Sequence, residues 1–201
     1  MSEKIKNYYK HIYSTEKHSE HEWTAGTANP ELVNLVYDNK IKPNSNILEL
    51  GCGLGTESVF LAVRGMNVTA VDISKDAISV GKQLSSLYNV NVDWMVEDIL
   101  NADFSNYDIV TDQGCFHHLN DDERVIYANK VYKFLKAGGM FILRCFSDEI
   151  PGGPQPRRIS SDELIDTFHE KFKLDTMTKV LSFSTEQRYR PMGWFTVWYK
   201  R

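Results

Sequence analysis

Short apolar runs alternate with amphipathic stretches along most of this chain, as strands do when each passes into a covering helix. Five such runs predict strands, at 46–50, 67–71, 92–97, 107–111 and 140–143. The last is apolar throughout, which suits a central parallel strand covered on both faces. Between the strands, apolar residues recur at helical spacing. Leu32, Leu35 and Val36 follow Asn29-Pro30-Glu31, an N-cap with proline at the first helical position. A helix leaves the glycine-rich stretch at 51–55, runs through Arg64 and stops at Gly65. Ser74 caps another, with a stripe of Ala77, Val80, Leu84 and Leu87. Asn120 and Glu123 open a third in capping-box fashion, with a stripe of Tyr127, Val131, Phe134 and Leu135. Lys133 and Lys136 favour its carboxyl end, which Gly138 and Gly139 terminate. Ser160-Ser161-Asp162-Glu163 starts a further helix, and 172–183 and 194–199 read as two more strands, the last with Trp194, Thr196 and Trp198 on one face. The pattern predicts an α/β fold: a doubly wound, mostly parallel, seven-stranded sheet with helices on both faces and ligands at the carboxyl ends of its strands.

Candidate chemistry gathers at the first strand-to-helix junction, Asn46-Ile47-Leu48-Glu49-Leu50-Gly51-Cys52-Gly53-Leu54-Gly55-Thr56-Glu57. Alternate glycines allow a tight turn and close backbone approach to a ligand, and the following helix points unpaired N–H groups at an anionic group. A dinucleotide fingerprint is G-x-G-x-x-G, whereas this turn is G-x-G-x-G with Glu49 two residues ahead of it. Asp72 and Asp98 follow the second and third strands. An acid at the second strand can bind ribose hydroxyls, as in the NAD fold, and one at the third suggests a polar partner beyond the ribose, such as an adenine amino group.

Together these residues resemble the class I methyltransferases that use S-adenosylmethionine. The resemblance implies that Gly51, Gly53 and Gly55 flank the methionine part of that cofactor, that Glu49 orders its ammonium end, and that Asp72 and Asp98 bind ribose and adenine. Trp23, Cys52, Ile73, Ile99 and Gln113 complete the implied cofactor set. It also implies that the final two strands form an antiparallel hairpin. Residues 108–119, with Arg124, Tyr127 and Leu135-Lys136-Ala137-Gly138-Gly139, resemble the thiopurine S-methyltransferase and tellurite-resistance branch. Trp23-Thr24-Ala25-Gly26 with Pro30-Glu31-Leu32-Val33 is similar to that branch's entry segment, and Gly153-Pro154 before Arg158-Ile159-Ser160 to its late substrate loop. Gln113 stands where branch members often carry arginine, which removes a fixed cation.

Methyl transfer is an in-line displacement, so holding two reactants in register supplies much of the rate. A thiol, with a pKa near ~8.5, needs only its thiolate stabilised, whereas a hydroxyl needs a positioned base. His117, His118 and Asp112 are the catalytic candidates, one imidazole taking a proton or binding the acceptor. Direct transfer gives Cys115 no role as nucleophile. The expected acceptor is a small thiol or other chalcogen; O- or N-methylation with His117 or His118 as base is the alternative, and a nucleotide-binding regulatory or NAD-dependent protein is a different class. Trp23, Phe116 and Trp194 are candidates to wall an apolar pocket. Arg157 and Arg158, beside the lid-like loop at 151–156, either clamp an acidic substrate or form a solvated pair. His11, His18 and His21 fit a solvated helix face better than a metal site.

Composition narrows the setting. At 201 residues, 42% hydrophobic and 25% charged, the chain is expected to form one domain, with 1–45 as a helical cap and 46–201 as the core. No apolar run is long enough to span a bilayer, the first residues lack a signal-peptide pattern, and three cysteines at no metal spacing suit a reducing cytoplasm. A net charge of −4 offers no basic field for nucleic acid, so a small-molecule substrate is preferred, with neither nucleic acid nor membrane as partner.

Overall fold

A computed structural model of the chain describes residues 1–18, 21, 23–24, 26–150, 156–181 and 192–201. Its elements run α1 (Glu3–Thr15), α2 (Pro30–Tyr37), β1 (Asn46–Leu50), α3 (Thr56–Val63), β2 (Asn67–Asp72), α4 (Lys75–Leu87), β3 (Asp93–Val96), β4 (Tyr107–Asp112), α5 (Asp121–Phe134), β5 (Leu135–Phe146), α6 (Ser161–Phe168), β6 (Phe172–Leu181) and β7 (Met192–Lys200). The strand order is β3-β2-β1-β4-β5-β7-β6, with β7 antiparallel to both of its neighbours and the remaining pairs parallel. The expected doubly wound sheet and closing antiparallel pair are therefore present. The order reverses between β1 and β4, and a crevice opens where the chain leaves adjacent parallel strands for opposite faces. Register levels that edge: Leu50 stands beside Val71 on one side and Asp112 on the other.

Alternation along the strands divides the core in two. Phe141 and Leu143 of β5 join Leu48, Leu50 and Val110 beneath Tyr127, Val131, Phe134, Leu164 and Phe168 of α5 and α6. Met140 and Ile142 point the other way, with Ile47, Val68 and Ile109, against Leu32, Leu35 and Leu61 of α2 and α3. An uninterrupted apolar run is what this two-faced burial requires.

Two expectations need correction. The buried face of α4 is Ala77, Ile78, Gly81 and Ser85, while Leu87 is 83% exposed. Trp94 of β3 causes the rotation: its ring lies so close to Gly81 that an added Cβ would come within 2.5 Å, and its indole N–H donates to Ser85 Oγ at 3.3 Å. Small residues must face that ring, so the leucine turns outward. Leu87→Lys is thus expected to change unfolding stability by no more than about 0.5 kcal/mol in a urea titration; a core leucine would lose several-fold more. Secondly, α5 ends at Phe134, and β5 begins at Leu135 because that residue pairs with Tyr107. A register shift follows, with Gly138 at φ +68°, and Lys136 donates to Asp108 at 2.7 Å instead of capping a helix. Asn29 is the N-cap of α2 with Pro30 at its start, as expected, and its side chain makes no cap bond. The strand expected to reach Phe183 is described as far as Leu181, and the 151–155 loop, including Gly153 and Pro154, lies outside the described residues, as does Ala25.

Candidate active site

The turn after β1 leads into α3 through Gly51, Gly53 and Gly55, at φ +66°, +52° and +78°. It is tied to the end of β2: the Cys52 amide donates to Val71 O at 3.0 Å, and the Gly53 amide to Asp72 Oδ2 at 2.9 Å. Asp72 Oδ1 accepts the Ser74 amide at 2.8 Å. Burial raises the Asp72 pKa and these amides oppose the rise. Beneath the turn, Glu49 is 1% exposed and accepts the Ser58 hydroxyl. Burial, followed by the charge of Glu57, pushes its carboxyl well above the usual range. Cys52 packs on Ala70 and Ile78, Ile73 is half-buried beside Asp72, and Ile99 is part of the core.

Asp98 follows β3 at the same edge. Burial opposes its ionisation, but the Lys6 ammonium at 2.8 Å and the Leu100 amide at 3.1 Å outweigh burial and hold its pKa below the ordinary value. Gln113 donates to Thr111 Oγ1 at 2.8 Å and accepts Asn29 Nδ2 at 3.0 Å. Asn29 also donates to Glu57 at 2.8 Å, so its side chain fastens the start of α2 to the first turn of α3 and to the loop after β4, which is why it makes no cap bond to its own helix.

The loop after β4 is organised by Asp112, which is fully buried. Its Oδ1 accepts the Gly114 and Cys115 amides at 2.9 and 2.7 Å, and its Oδ2 the Tyr127 hydroxyl at 2.6 Å. With those acceptors filled, Asp112 shapes the loop and hydrogen-bonds neither histidine. His117 is stacked on Phe146, and its Nδ1 accepts that residue's amide at 3.3 Å. His118 Nε2 meets the Tyr9 hydroxyl at 2.9 Å. The three catalytic candidates share a loop but form no hydrogen-bonded relay.

Burial lowers the His118 pKa from 6.5 to about 4. The unfolded chain then binds more protons between those values, so this group's stability is complete above 6.5 and is lost as pH falls towards 4. Asp112 acts in the opposite sense: burial raises it from 3.8 to about 6, so its contribution is complete below 3.8 and is lost as pH rises through 6. His118→Asn is expected to flatten the acid decline of the urea midpoint between pH 6.5 and 4, and an unchanged slope would contradict the assignment.

Sequence reasoning gave α1 no site role, yet Lys6, Tyr9 and Tyr13 lie on one face at i, i+3 and i+7 and reach successive parts of the crevice. Lys6 pairs with Asp98 and Tyr9 with His118, and the Tyr13 hydroxyl lies where a Cβ on Gly53 would come within 2.8 Å. That spacing was the available signal. Trp23, 43% exposed, donates its indole N–H to Tyr13 at 3.0 Å. The other aromatic wall residues are corrected: Phe116 is fully buried against Tyr127 and Phe168, and Trp194 is a core residue donating to Ile159 O. Arg157 pairs with Asp121 and with Glu163 at 2.6 Å, and Arg158 donates to Ile150 and Pro156 carbonyls, so the first is an ion-paired anchor and the second a loop pin. His11 is exposed on α1, but His21 is buried, stacked on Trp23 and edge-on to Tyr13. Among the described residues, no group of three histidine, cysteine or acidic side chains is placed to hold a metal, and no helix is long and apolar enough to cross a membrane.

Residues 47–139 match the family described as a methyltransferase domain. A carboxy-S-adenosyl-L-methionine synthase of Campylobacter fetus subsp. fetus is 30% identical over 121 residues, 59% of this chain and 50% of that protein. A probable thiol methyltransferase 2 of Arabidopsis thaliana is 32% identical over 145 residues, 70% of this chain and 63% of that protein. The chain thus spans less than two thirds of the length of these curated relatives. A solved structure from work on the conversion of a disulfide bond into a thioacetal group during echinomycin biosynthesis superposes with a TM-score of 0.83 at 24% identity, covering 97% of this chain and 92% of that one.

Proposed function

We propose that this chain, whose residues 47–139 match a methyltransferase domain, transfers the methyl group of S-adenosylmethionine to a small-molecule nucleophile, preferably a thiol or another chalcogen. The observation that carries this reading is a turn with glycine at each of its three left-handed positions, set between buried Glu49 and Asp72 at the sheet's switch point. The residues fit the cofactor. A carboxyl kept from ionising by burial regains its charge beside a cation, which suits Glu49 to an ammonium. The Gly51, Gly53 and Gly55 backbone would lie along the methionine part, Asp72 would take the ribose hydroxyls, and Asp98 would take adenine in competition with Lys6. The bound sulfonium supplies an electrophilic methyl group.

The chain's own contribution is to bind, orient and exclude water, with α1 laid over the strand ends. Burial keeps both loop histidines weakly basic, and Gln113 adds no cation. Such a site suits an acceptor that ionises with little help, which favours a thiol over an aliphatic alcohol. The relative named as a thiol methyltransferase supports the same preference. Calorimetric titration should show binding of S-adenosylmethionine and not of NAD, and methyl-labelled cofactor should mark thiols ahead of phenols and amines. Binding of NAD alone would refute the transferase, and labelling of amines or alcohols first would refute the preference.

A further inference from the structure

Tyr9 is the point at which α1 meets the loop after β4. Its ring is held edge-on by Tyr8, Trp23 and His118, with centroids at 5.3, 5.4 and 5.0 Å. Phenylalanine would preserve these three contacts, but the hydroxyl makes a further one, to His118 Nε2 at 2.9 Å. That bond sets the hydroxyl at the loop after β4, while Tyr13, four residues on along the same helix, reaches Gly53 of the turn assigned to the methyl donor. Among the described residues no carboxylate is hydrogen-bonded to His118, and both oxygens of Asp112 are engaged by the loop amides and Tyr127.

We propose that Tyr9 contacts the methyl acceptor and, hydrogen-bonded to His118, takes the proton of an acidic X–H group of the thiol or phenol class. The inference rests on the methyltransferase reading and adds a residue and an acceptor class to it. The phenol donates to Nε2 of an imidazole protonated at Nδ1, which leaves the lone pairs of Tyr9 Oη directed at X–H. As X attacks, the X–CH3 bond forms and the sulfonium–methyl bond breaks with its electron pair returning to sulfur. The X–H proton passes to Oη, the phenol's own proton passes to His118 Nε2, and the imidazolium later releases one to water. As a neutral pair it can assist groups that ionise near a pKa of ~8.5 to ~10, but not an aliphatic alcohol.

Tyr9→Phe tests the proposal, with an alkyl thiol, 2-mercaptoethanol, as acceptor at a pH where it is protonated. The expected result is a kcat lower by ~10²-fold, the effect typical of a lost proton-transfer group, with KM within about threefold and calorimetric affinity for S-adenosylmethionine within about twofold. Tyr8→Phe, a change at an exposed neighbour, should retain wild-type kinetics. In the double variant Tyr9→Phe/His118→Leu the loss should be no greater than in Tyr9→Phe alone, because the two groups act as one. Independently of turnover, nitrogen NMR of the free protein should find His118 protonated at Nδ1 and bare at Nε2. A proton on Nε2, an unchanged kcat in Tyr9→Phe, or fully additive losses would each overturn the proposal. If the wild-type chain binds no S-adenosylmethionine, the methyltransferase reading itself has failed; if it binds and turns over while Tyr9→Phe matches it, this inference alone has failed.

Discussion

Gly55→Ala is expected to lower unfolding stability by several kcal/mol and to leave little folded chain at moderate urea. Two costs combine. Gly55 sits at φ +78°, a left-handed conformation that costs an L side chain about 1–2 kcal/mol. The new Cβ would also stand 2.2 Å from Trp94 Cη2 and 2.7 Å from Cζ3, far inside contact distance. The ring has nowhere to retreat, because the same two atoms lie 2.6 and 2.5 Å from the position of a Cβ on Gly81, and overpacking of this kind costs about 1–3 kcal/mol or more. Trp94 is thus clasped between the glycine turn and α4, which couples the cofactor loop to the rest of the sheet. The double variant Gly55→Ala/Trp94→Leu should recover the steric part of the loss while the backbone part remains. If the double variant is no more stable than Gly55→Ala, the clash is not the cause.

This coupling also marks where the sequence stops being legible. Local signals read well: the capping box at Asn120, the helix start at Ser160, the strand-to-helix turn at 51–55 and the two-faced apolar run of β5 each involve residues a few positions apart. The buried face of α4 did not, because Trp94, which selects it, arrives from the next strand. The end of α5 is set by pairing of Leu135 with Tyr107, and the use of Asn29 by partners at 57 and 113. Asp112 lies in the loop expected to carry catalysis, yet its role depends on Tyr127, fifteen residues on, which takes its remaining oxygen. The α1 residues were hardest to read: Lys6 and Tyr9 acquire meaning only when Asp98 and His118 are brought beneath them. Their helical spacing marked a shared face, but nothing local distinguishes a face laid over a crevice from one laid over a core.

Asp72→Ala is expected to weaken S-adenosylmethionine binding by at least ~100-fold, about 2.7 kcal/mol, with the fold retained. The carboxylate has two tasks that the variant removes together. It accepts the Gly53 and Ser74 amides, and so fixes the turn against β2 before any ligand arrives. By the proposed function it also accepts the ribose hydroxyls. Loss of the first task leaves two amides short of a partner, at about 1–3 kcal/mol each where they stay dry. Removing a carboxyl whose ionised form is disfavoured by burial offsets part of that cost, so the unfolding midpoint should fall modestly while affinity falls steeply. The two tasks separate in a cycle that pairs the variant with a ligand change. S-adenosylhomocysteine and its 2′,3′-dideoxy counterpart differ in the ribose hydroxyls, so a direct bond to Asp72 predicts that Asp72→Ala costs the dideoxy ligand much less affinity. Equal losses for the two ligands would mean that Asp72 serves the turn alone, and the ribose would then have to be assigned to another group at the same edge.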